Sequence, residues 1–159
     1  EQIPMDEIDQ VIHIDWELVS LHKQCMNRLM SDRGVYPGQP PLLFTLGRMG
    51  ACNQADLAKA LHISPATIAV SLKRMEKSGF VKRVPDPGDL RSNRIELTER
   101  GRRAAASADH AIRRVNQQMY RDFTPEEFSQ IVHFYQRMQQ NLIRLKQELY
   151  GQEEPTCAN

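Results

Sequence analysis

Two short helical patterns, followed by two strand-like runs around a charged turn, occupy residues 53–101, and this order constrains the fold more than any other feature of the chain. The first pattern begins at Asn53, whose side chain can cap the free amides of a first helical turn. The second begins at Ser64, where a hydroxyl cap precedes a proline at a position whose amide has no partner inside a helix. Gly79 is a typical residue to end it. Two such helices in succession predict a helix-turn-helix.

The second of these helices has an apolar stripe and a more polar side. Ile68, Leu72 and Met75 are spaced four and three residues apart, so they share one side of the helix and are predicted to be buried. The residues that lie wholly or partly off this stripe include Ala66, Thr67, Val70, Ser71 and Arg74. We expect them to be accessible to a partner.

A β-hairpin is predicted after the second helix. Apolar and polar residues alternate in 80–84 and again in 94–97, and the turn between them is rich in Pro, Asp and Gly. Arg91 and Arg94 lie at or near the tip, where an arginine can enter a narrow minor groove of enhanced negative potential. Asp89 precedes Arg91 by two residues and is predicted to pair with it and fix its direction. The hairpin therefore has the composition of a DNA-binding wing.

Four segments together carry a family resemblance. They are residues 55–61, residues 64–79, Asp89-x-Arg91-Ser92 and Leu97-Thr98-Glu99-Arg100-Gly101. Through these residues, and over nearly its whole length, the chain resembles the MarR family of bacterial transcriptional regulators. The resemblance implies a mainly α fold, α+β by strict count, in which a winged helix-turn-helix lies between long N- and C-terminal helices that form a homodimer.

The resemblance also implies how double-stranded DNA is contacted. In the family, the aspartate and arginine of the wing motif orient and perform insertion into the minor groove, and Asp89 and Arg91 match these two positions. The family's recognition helix often carries a polar residue and then an arginine where this chain has Ala69 and Val70. We therefore expect apolar contact with thymine methyls to replace part of the base readout. The residues expected near base edges in the major groove are Ser64, Ala66, Thr67, Val70 and Ser71.

Charge is distributed unevenly along the chain. The formal net charge is only +1, but residues 64–103 contain ten Lys or Arg and five Asp or Glu, a net charge of +5 against −4 for the remainder. A basic segment on an acidic frame supplies a local phosphate-binding face. Lys73 and Arg74 are expected close to phosphate. The alternative for any single cation is ordinary solvated surface charge.

Long amphipathic helices are predicted on both flanks. A capping box at 124–127 precedes apolar residues at alternating spacings of three and four, which is a heptad seam. These residues are Phe128, Ile131, Tyr135, Met138, Leu142, Leu145 and Leu149. The N-terminal stretch has a similar stripe, formed by Met5, Ile8, Ile12, Trp16, Val19, Met26 and Met30. Since a helix over 125–149 would be about 38 Å long at about 1.5 Å per residue, we expect it to pack on a partner.

The predicted organisation is one continuous MarR-type domain with three parts. An N-terminal dimerisation helix occupies 1–36, the winged helix-turn-helix lobe occupies 37–101, and C-terminal dimerisation helices occupy 102–159. A two-fold dimer predicts a palindromic operator with half-sites about one helical turn of 34 Å, or a small multiple of it, apart. Family habit favours a repressor over an activator.

A small-molecule effector is implied by the same resemblance, because ligands in the family usually lodge between the dimer frame and the winged lobe and release DNA. The candidate ligand-binding residues are His13, Trp16, His22, Met26, Phe44 and Arg48. The alternative is that Trp16 and Phe44 are ordinary core aromatics, since large apolar residues at helical spacing are buried by default.

The chain has three cysteines, Cys25, Cys52 and Cys157, and no CxxC pair, which predicts reduced thiols. Some branches of the family sense peroxides through an N-terminal cysteine, so Cys25 is a redox candidate. The alternative is that it is a small buried hydrophobe. The five histidines show no compact metal-ligand spacing, so neither a metal nor a cofactor is predicted.

Other classes of protein find little support in the sequence. We expect a cytoplasmic protein without a membrane partner, because there is no apolar run of about 18 residues and no basic region followed by an apolar signal core. No phosphate loop, G-x-S-x-G elbow or HExxH helix is present, so an enzyme is not expected. The main alternative is a winged helix that has lost DNA contact and serves as a protein-interaction module. Arg74, Arg91 and Arg94 argue against that alternative.

Overall fold

The computed structural model describes residues 3–89 and 91–151, so Cys157 lies outside the described residues. The chain forms two compact units, one extending to Gln117 and the other beginning at Gln118. The elements, in chain order, are α1 Met5–Ser31, α2 Pro40–Met49, α3 Gln54–Leu61, α4 Pro65–Lys77, β1 Val81–Pro85, β2 Asn93–Leu97, α5 Glu99–Met119 and α6 Pro125–Tyr150. The mainly helical fold with a two-stranded sheet is the class that the sequence predicted.

The helix-turn-helix is formed by α3 and α4, and both begin at the predicted caps. The Asn53 side chain accepts a hydrogen bond from the Asp56 amide at 2.7 Å, and the Ser64 hydroxyl accepts one from the Thr67 amide at 3.2 Å. Each bond satisfies one of the amides that a helix start leaves free. The predicted beginnings of both helices are therefore confirmed.

The end of α4 is a Schellman motif. Gly79 has φ +72°, and its amide donates to the Glu76 carbonyl at 2.9 Å. The Phe80 amide donates to the Met75 carbonyl, also at 2.9 Å. These two bonds require a left-handed residue after the helix, and glycine adopts that conformation at the least steric cost. Gly79 therefore ends α4 as the sequence predicted.

The core of the first unit joins α4 to the elements around it. Ile68, Leu72 and Met75 are fully buried, as their spacing predicted, and the other fully buried large side chains include Met30, Leu43, Leu46, Leu57, Phe80 and Ile95. Each such side chain contributes about 1.5 to 3 kcal/mol when it is removed from water. The apolar side of α4 is therefore fixed in the core, and its other side is left for function.

The predicted hairpin is present. Strands β1 and β2 are antiparallel, and their register runs from Val81 opposite Leu97 to Pro85 opposite Asn93. Cys52 adds an isolated bridge to Ile95, in which each backbone amide donates to the other residue's carbonyl, at 3.2 and 2.7 Å. The loop between α2 and α3 thus pairs with the free edge of β2 and supports the wing.

The second unit contains α6, which begins with the predicted capping box. The Glu127 amide donates to the Thr124 hydroxyl at 3.2 Å, and the Thr124 amide donates to the Glu127 carboxylate at 2.8 Å. Tyr120 meets the ring of Phe128 edge-on, with 5.0 Å between ring centroids. No residue of α6 is buried in the described chain, and most of its heptad seam is exposed.

The N-terminal half of α1 is also exposed, and only Met26 and Met30 of that helix are buried. Trp16 is 72% exposed, so this chain alone does not give it the core position that was the alternative to ligand binding. Within the described residues, no helix combines the length and the apolar composition that crossing a membrane requires.

Candidate nucleic-acid interface

The second side of α4 is accessible along its whole length. Its exposed residues recur at three- and four-residue steps, as one side of a helix requires. They are Ala66, Thr67, Val70, Lys73, Arg74 and Lys77, and we call them the exposed face of α4. Ser71, which was predicted at a base edge, is half-buried, and Ala69 is half-buried as well. The exposed face therefore includes most, but not all, of the helix residues that were predicted to contact DNA.

The N-terminal end of this face is ordered by hydroxyl groups. Besides capping the Thr67 amide, the Ser64 hydroxyl lies 2.8 Å from the Thr67 hydroxyl, and one of the two donates to the other. A pair of hydroxyls has two protons and uses one of them in this bond, so the pair keeps one donor for an external acceptor. A base edge or a phosphate oxygen offers such an acceptor.

Pairing within the chain decides which cations of residues 64–103 are available. Six of the ten bond to other described residues: Lys82 to Glu96, Arg83 to Glu76, Arg94 to Asp86, Arg100 to the Ser78 carbonyl, and Arg102 and Arg103 to Glu99. The four whose side chains have no partner in the described part of the chain are Lys73, Arg74, Lys77 and Arg91. Three of these lie on the exposed face of α4, and the fourth lies at the wing tip.

The acidic group of α4 is correspondingly neutralised. Glu76, the only acidic residue of α4, is bonded to Arg83 at 3.2 Å. Hydrogen bonding from Arg102 lowers the pKa of Glu99, so that carboxylate stays charged and holds its cations at the start of α5. Bonded pairs contribute little net charge, so the three unpaired cations of α4 concentrate positive potential on its exposed face. At the wing tip the charge of Arg91 lies close in sequence to that of Asp89.

The wing tip is shaped by Asp89. Its carboxylate accepts a hydrogen bond from the Arg91 amide at 3.0 Å, and its carbonyl accepts from the Ser92 amide at 2.9 Å. This is an Asx-turn, in which a short acidic side chain bonds to the backbone two residues ahead. Asp89 therefore directs Arg91 through its backbone, and no ion pair between the two side chains forms in the described structure.

Arg94 has a different setting from Arg91, although both were predicted to contact DNA. Its guanidinium donates to the Ala51 carbonyl and lies 4.0 Å from the Asp86 carboxylate. These contacts join β2 to the loop before α3 and to the first residue after β1. Arg94 thus supports the wing from within, and its predicted contact with DNA remains a prediction.

Lys77 was not among the predicted DNA-binding residues. It lies three residues after Arg74 and four after Lys73, so it extends the exposed face of α4 by one turn. The same helical spacing that placed Lys73 and Arg74 would have identified it.

The six predicted effector residues are not gathered in one place. Phe44 and Arg48 line a cavity of about 320 Å³, with Leu97 from β2 and with Arg102, Ala105 and Asp109 from α5 among its other walls. The Arg48 guanidinium lies 5.4 Å from the centre of the Phe44 ring. None of the lining residues comes from α1, so this cavity does not include the four candidates on that helix.

The candidates on α1 have separate environments. His22 is hydrogen-bonded to Asn116 at 2.9 Å, which ties α1 to α5, and Met26 is buried in the core. His13 and Trp16 are exposed, and His13 lies 3.5 Å from Glu17. A second cavity of about 360 Å³ lies nearer the end of α1, and Arg33, His110 and Arg114 are in its lining.

The two described cysteines differ in accessibility. Cys25 is exposed on α1, whereas Cys52 is buried in the bridge to the wing, where burial raises the pKa of its thiol. In the single chain, Cys25 is therefore not the small buried hydrophobe that was the alternative. Its redox role stays a prediction, because exposure alone does not make a thiol reactive.

A helix-turn-helix followed by a supported hairpin, with unpaired cations on the second helix and at the hairpin tip, defines the winged helix-turn-helix class of DNA-binding proteins. Residues 36–92 match a family model described as the MarR family. An uncharacterized HTH-type transcriptional regulator of Bacillus subtilis (strain 168), YdgJ, is 26% identical over 131 residues, which are 82% of this chain and 80% of that protein.

Solved structures have the same fold. The transcriptional regulator SlyA aligns with a TM-score of 0.75 at 21% identity, over 83% of this chain and 93% of that one. A mutant MarR from E. coli, in a complex with operator DNA, aligns with a TM-score of 0.73 at 17% identity, over 86% of this chain and 99% of that one. Residues 36–92 are therefore a MarR-type region, and the predicted resemblance to the MarR family of transcriptional regulators is confirmed.

Proposed function

We propose that this protein is a homodimeric repressor that binds a palindromic operator in the cytoplasm and is released from it by a small molecule. The observation that carries the DNA contact is the distribution of unpaired cations. Among ten cations in residues 64–103, those without a partner in the described structure are the three on the exposed face of α4 and Arg91 at the wing tip.

Each element has a role in the proposed complex. The exposed face of α4 enters the major groove, with Ala66, Thr67 and Val70 at base edges and its cations at phosphates. Val70 is 55% exposed and offers a branched apolar surface to thymine methyls. Arg91 enters the adjacent minor groove. The other four predicted residues act through helix capping, packing and support of the wing as much as through contact with DNA. They are Ser64, Ser71, Asp89 and Arg94.

The dimer rests on α6 and α1. A helix of 26 residues with no buried side chain in its own chain exposes its seam to water, which costs free energy unless another surface covers it. The seam has the heptad spacing that a second helix fills. A second copy of the chain supplies such a helix and, by two-fold symmetry, requires a palindromic operator.

Release by a small molecule is proposed at the cavity of Phe44 and Arg48. Its volume is within the lower range of small-ligand sites, and it lies between α2 and α5. Hydrogen bonding from Arg113 lowers the pKa of Asp109. The cavity wall therefore has a charged carboxylate as well as the guanidinium groups of Arg48 and Arg102. A ligand there would separate two helices that support the winged lobe. Benzoate is a suitable first probe, and Arg48→Ala should abolish any effect of it on DNA binding.

The experiment that tests the DNA function is selection of random duplexes by the purified protein at moderate salt. Wild type, Arg91→Ala and Arg103→Ala are compared. Arg103→Ala is the matched control, because it removes an exposed arginine that is paired with Glu99. Enrichment of an inverted repeat by wild type and control, with weaker enrichment by Arg91→Ala, supports the proposal. Absence of enrichment at every salt concentration contradicts it and favours a protein-interaction module.

A further inference from the structure

The C-terminal end of α4 is attached to the start of α5 by three hydrogen bonds. The Thr98 amide donates to the Phe80 carbonyl at 3.0 Å, and the Thr98 hydroxyl donates to the Gly79 carbonyl at 2.5 Å. Arg100 donates from Nη1 to the Ser78 carbonyl at 2.7 Å. Three successive carbonyls after α4 are therefore covered by residues of one neighbouring turn.

At this joint between α4 and α5, the backbone of Gly101 lies closer to the backbone of Phe80 than any residue with a side chain could. A Cβ atom added at Gly101 would lie 1.8 Å from the Phe80 carbonyl oxygen, which is far inside contact distance. The Gly101 amide donates to the Thr98 hydroxyl at 3.0 Å, so that hydroxyl is held in place while it bonds to Gly79. The start of α5 consequently has little freedom to rotate against the end of α4.

Arg100 is the part of the joint that reaches furthest. Its guanidinium carbon lies 4.7 Å from the centre of the Phe80 ring, a cation–π contact, and its other terminal nitrogen lies 3.4 Å from where a Cβ of Gly34 would be. Gly34 follows the end of α1. A cation at the C-terminal end of α4 is also favoured by the helix dipole. One side chain thus contacts the C-cap residue Ser78 and the Phe80 ring, and its far end lies beside the turn after α1.

We propose that Arg100 is a positioning residue for operator binding, which holds the recognition helix α4 at a fixed angle on α5 and so sets the half-site spacing that the dimer accepts. This inference rests on the proposed function. The physical basis is that α1, which the proposed dimer uses, and the start of α5 lie in the same compact unit as α4. A rigid joint at the start of α5 therefore limits how far α4 can turn relative to these two helices.

The test compares the selected inverted repeat with the same repeat after insertion of one base pair at its centre, which displaces one half-site by about 3.4 Å. The ratio of the two affinities measures spacing discrimination. We expect Arg100→Gln to reduce this ratio about tenfold, the order of effect of one mismatched base pair. Arg103→Gln, which removes the same charge three residues further on, should keep the wild-type ratio. Arg100→Lys should restore most of the ratio, because it keeps a donor for the Ser78 carbonyl.

Two further measurements separate positioning from general stability. Affinity for a random duplex should be the same in Arg100→Gln and Arg103→Gln, because nonspecific binding depends on total charge. Without DNA, amide hydrogens of Ser78, Gly79 and Phe80 should exchange faster in Arg100→Gln than in the control. If Arg100→Gln does not fold, Thr98→Val, which removes the hydroxyl bond to Gly79, should show the same loss of spacing discrimination.

The outcomes distinguish this inference from the function on which it rests. A wild-type protein that selects no repeat overturns both. A wild-type protein that selects a repeat and discriminates spacing, with Arg100→Gln or its substitute Thr98→Val discriminating as well as Arg103→Gln, overturns the positioning role and leaves the DNA-binding function intact.

Discussion

The Asp89 carboxylate bonds to the backbone amide of Arg91, 3.0 Å away, while the Arg91 guanidinium has no partner among the described residues. Asp89 therefore fixes the backbone position of Arg91 and leaves the Arg91 guanidinium available to a partner. This arrangement separates two roles that the motif alone does not distinguish, and it leads to the first prediction.

Asp89→Ala should weaken operator binding by about 1.5 to 3 kcal/mol, because it removes a charge-assisted hydrogen bond that orders the wing tip. Asp89→Asn keeps a side-chain oxygen for the Arg91 amide and should retain most of the affinity. Fluorescence anisotropy with a labelled operator measures both. An Asn variant as weak as the Ala variant would show that the negative charge, and not the Asx-turn, is what matters.

Arg91→Ala should lower operator affinity by about 1 to 3 kcal/mol without changing the dimer. The reason is that Arg91 is the unpaired cation of the wing tip, where a narrow minor groove attracts arginine. The same anisotropy titration and light scattering check the two parts of this prediction. Affinity equal to that of Arg103→Ala would contradict the wing role.

Arg94→Gln should lower the stability of the fold more than it weakens DNA binding. We expect the free energy of unfolding to fall by about 1 to 3 kcal/mol, because the Ala51 carbonyl loses its donor and Asp86 loses its cation. The salt dependence of DNA binding should stay at the wild-type slope. Denaturant unfolding and titrations at several salt concentrations decide the matter. A slope reduced by about one, with unchanged unfolding, would instead support the DNA contact that the sequence predicted.

Leu142→Asp should convert the dimer to a monomer. Leu142 is 67% exposed in the single chain, so the substitution has little reason to disturb the fold before association. In a packed seam, an unpaired buried charge costs several kcal/mol. Gln140→Asp, on the other side of α6, is the control and should remain dimeric. Light scattering of both variants is the measurement, and a dimeric Leu142→Asp would rule out this seam.

Cys25 and Cys52 should differ in alkylation rate. Burial raises the pKa of the Cys52 thiol, so in the folded protein its reactive thiolate forms only at a higher pH, whereas Cys25 is exposed. Peptide mapping after treatment with iodoacetamide near pH 8 should find Cys25 modified first. The same raised pKa implies that Cys52 favours the folded state below the ordinary thiol range and that this contribution is lost as pH rises through its raised value. Equal rates for the two thiols would contradict the burial of Cys52.

Features determined by a few neighbouring residues were predictable from the sequence. Asn53, Ser64 and Thr124 cap helices because each side chain reaches an amide three residues ahead, and Gly79 ends α4 because its left-handed conformation is local. The apolar spacing of α4 predicted its buried stripe for the same reason. Such patterns depend on geometry within a few turns of chain, which the sequence contains directly.

Partners distant in sequence were not predictable. Arg94 bonds to a carbonyl 43 residues away, and His22 bonds to a side chain 94 residues away, so neither role follows from local spacing. The interaction of Arg94 with Ala51 depends on how the wing lies against the loop before α3, which tertiary packing decides. For the same reason the sequence predicted that six residues form one effector site, whereas the cavity of Phe44 and Arg48 takes its other walls from β2 and α5.

The absence of any buried residue from α6 in a single chain has a consequence for how the cell sets the amount of active regulator. If α6 becomes stable only against a second copy, the stability of the dimer depends on protomer concentration. The concentration of the DNA-competent dimer then increases with the square of the free protomer concentration. Small changes in synthesis or degradation would then produce steeper changes in promoter occupancy. We therefore expect the cellular concentration of the protein, as well as any ligand, to regulate its promoter occupancy.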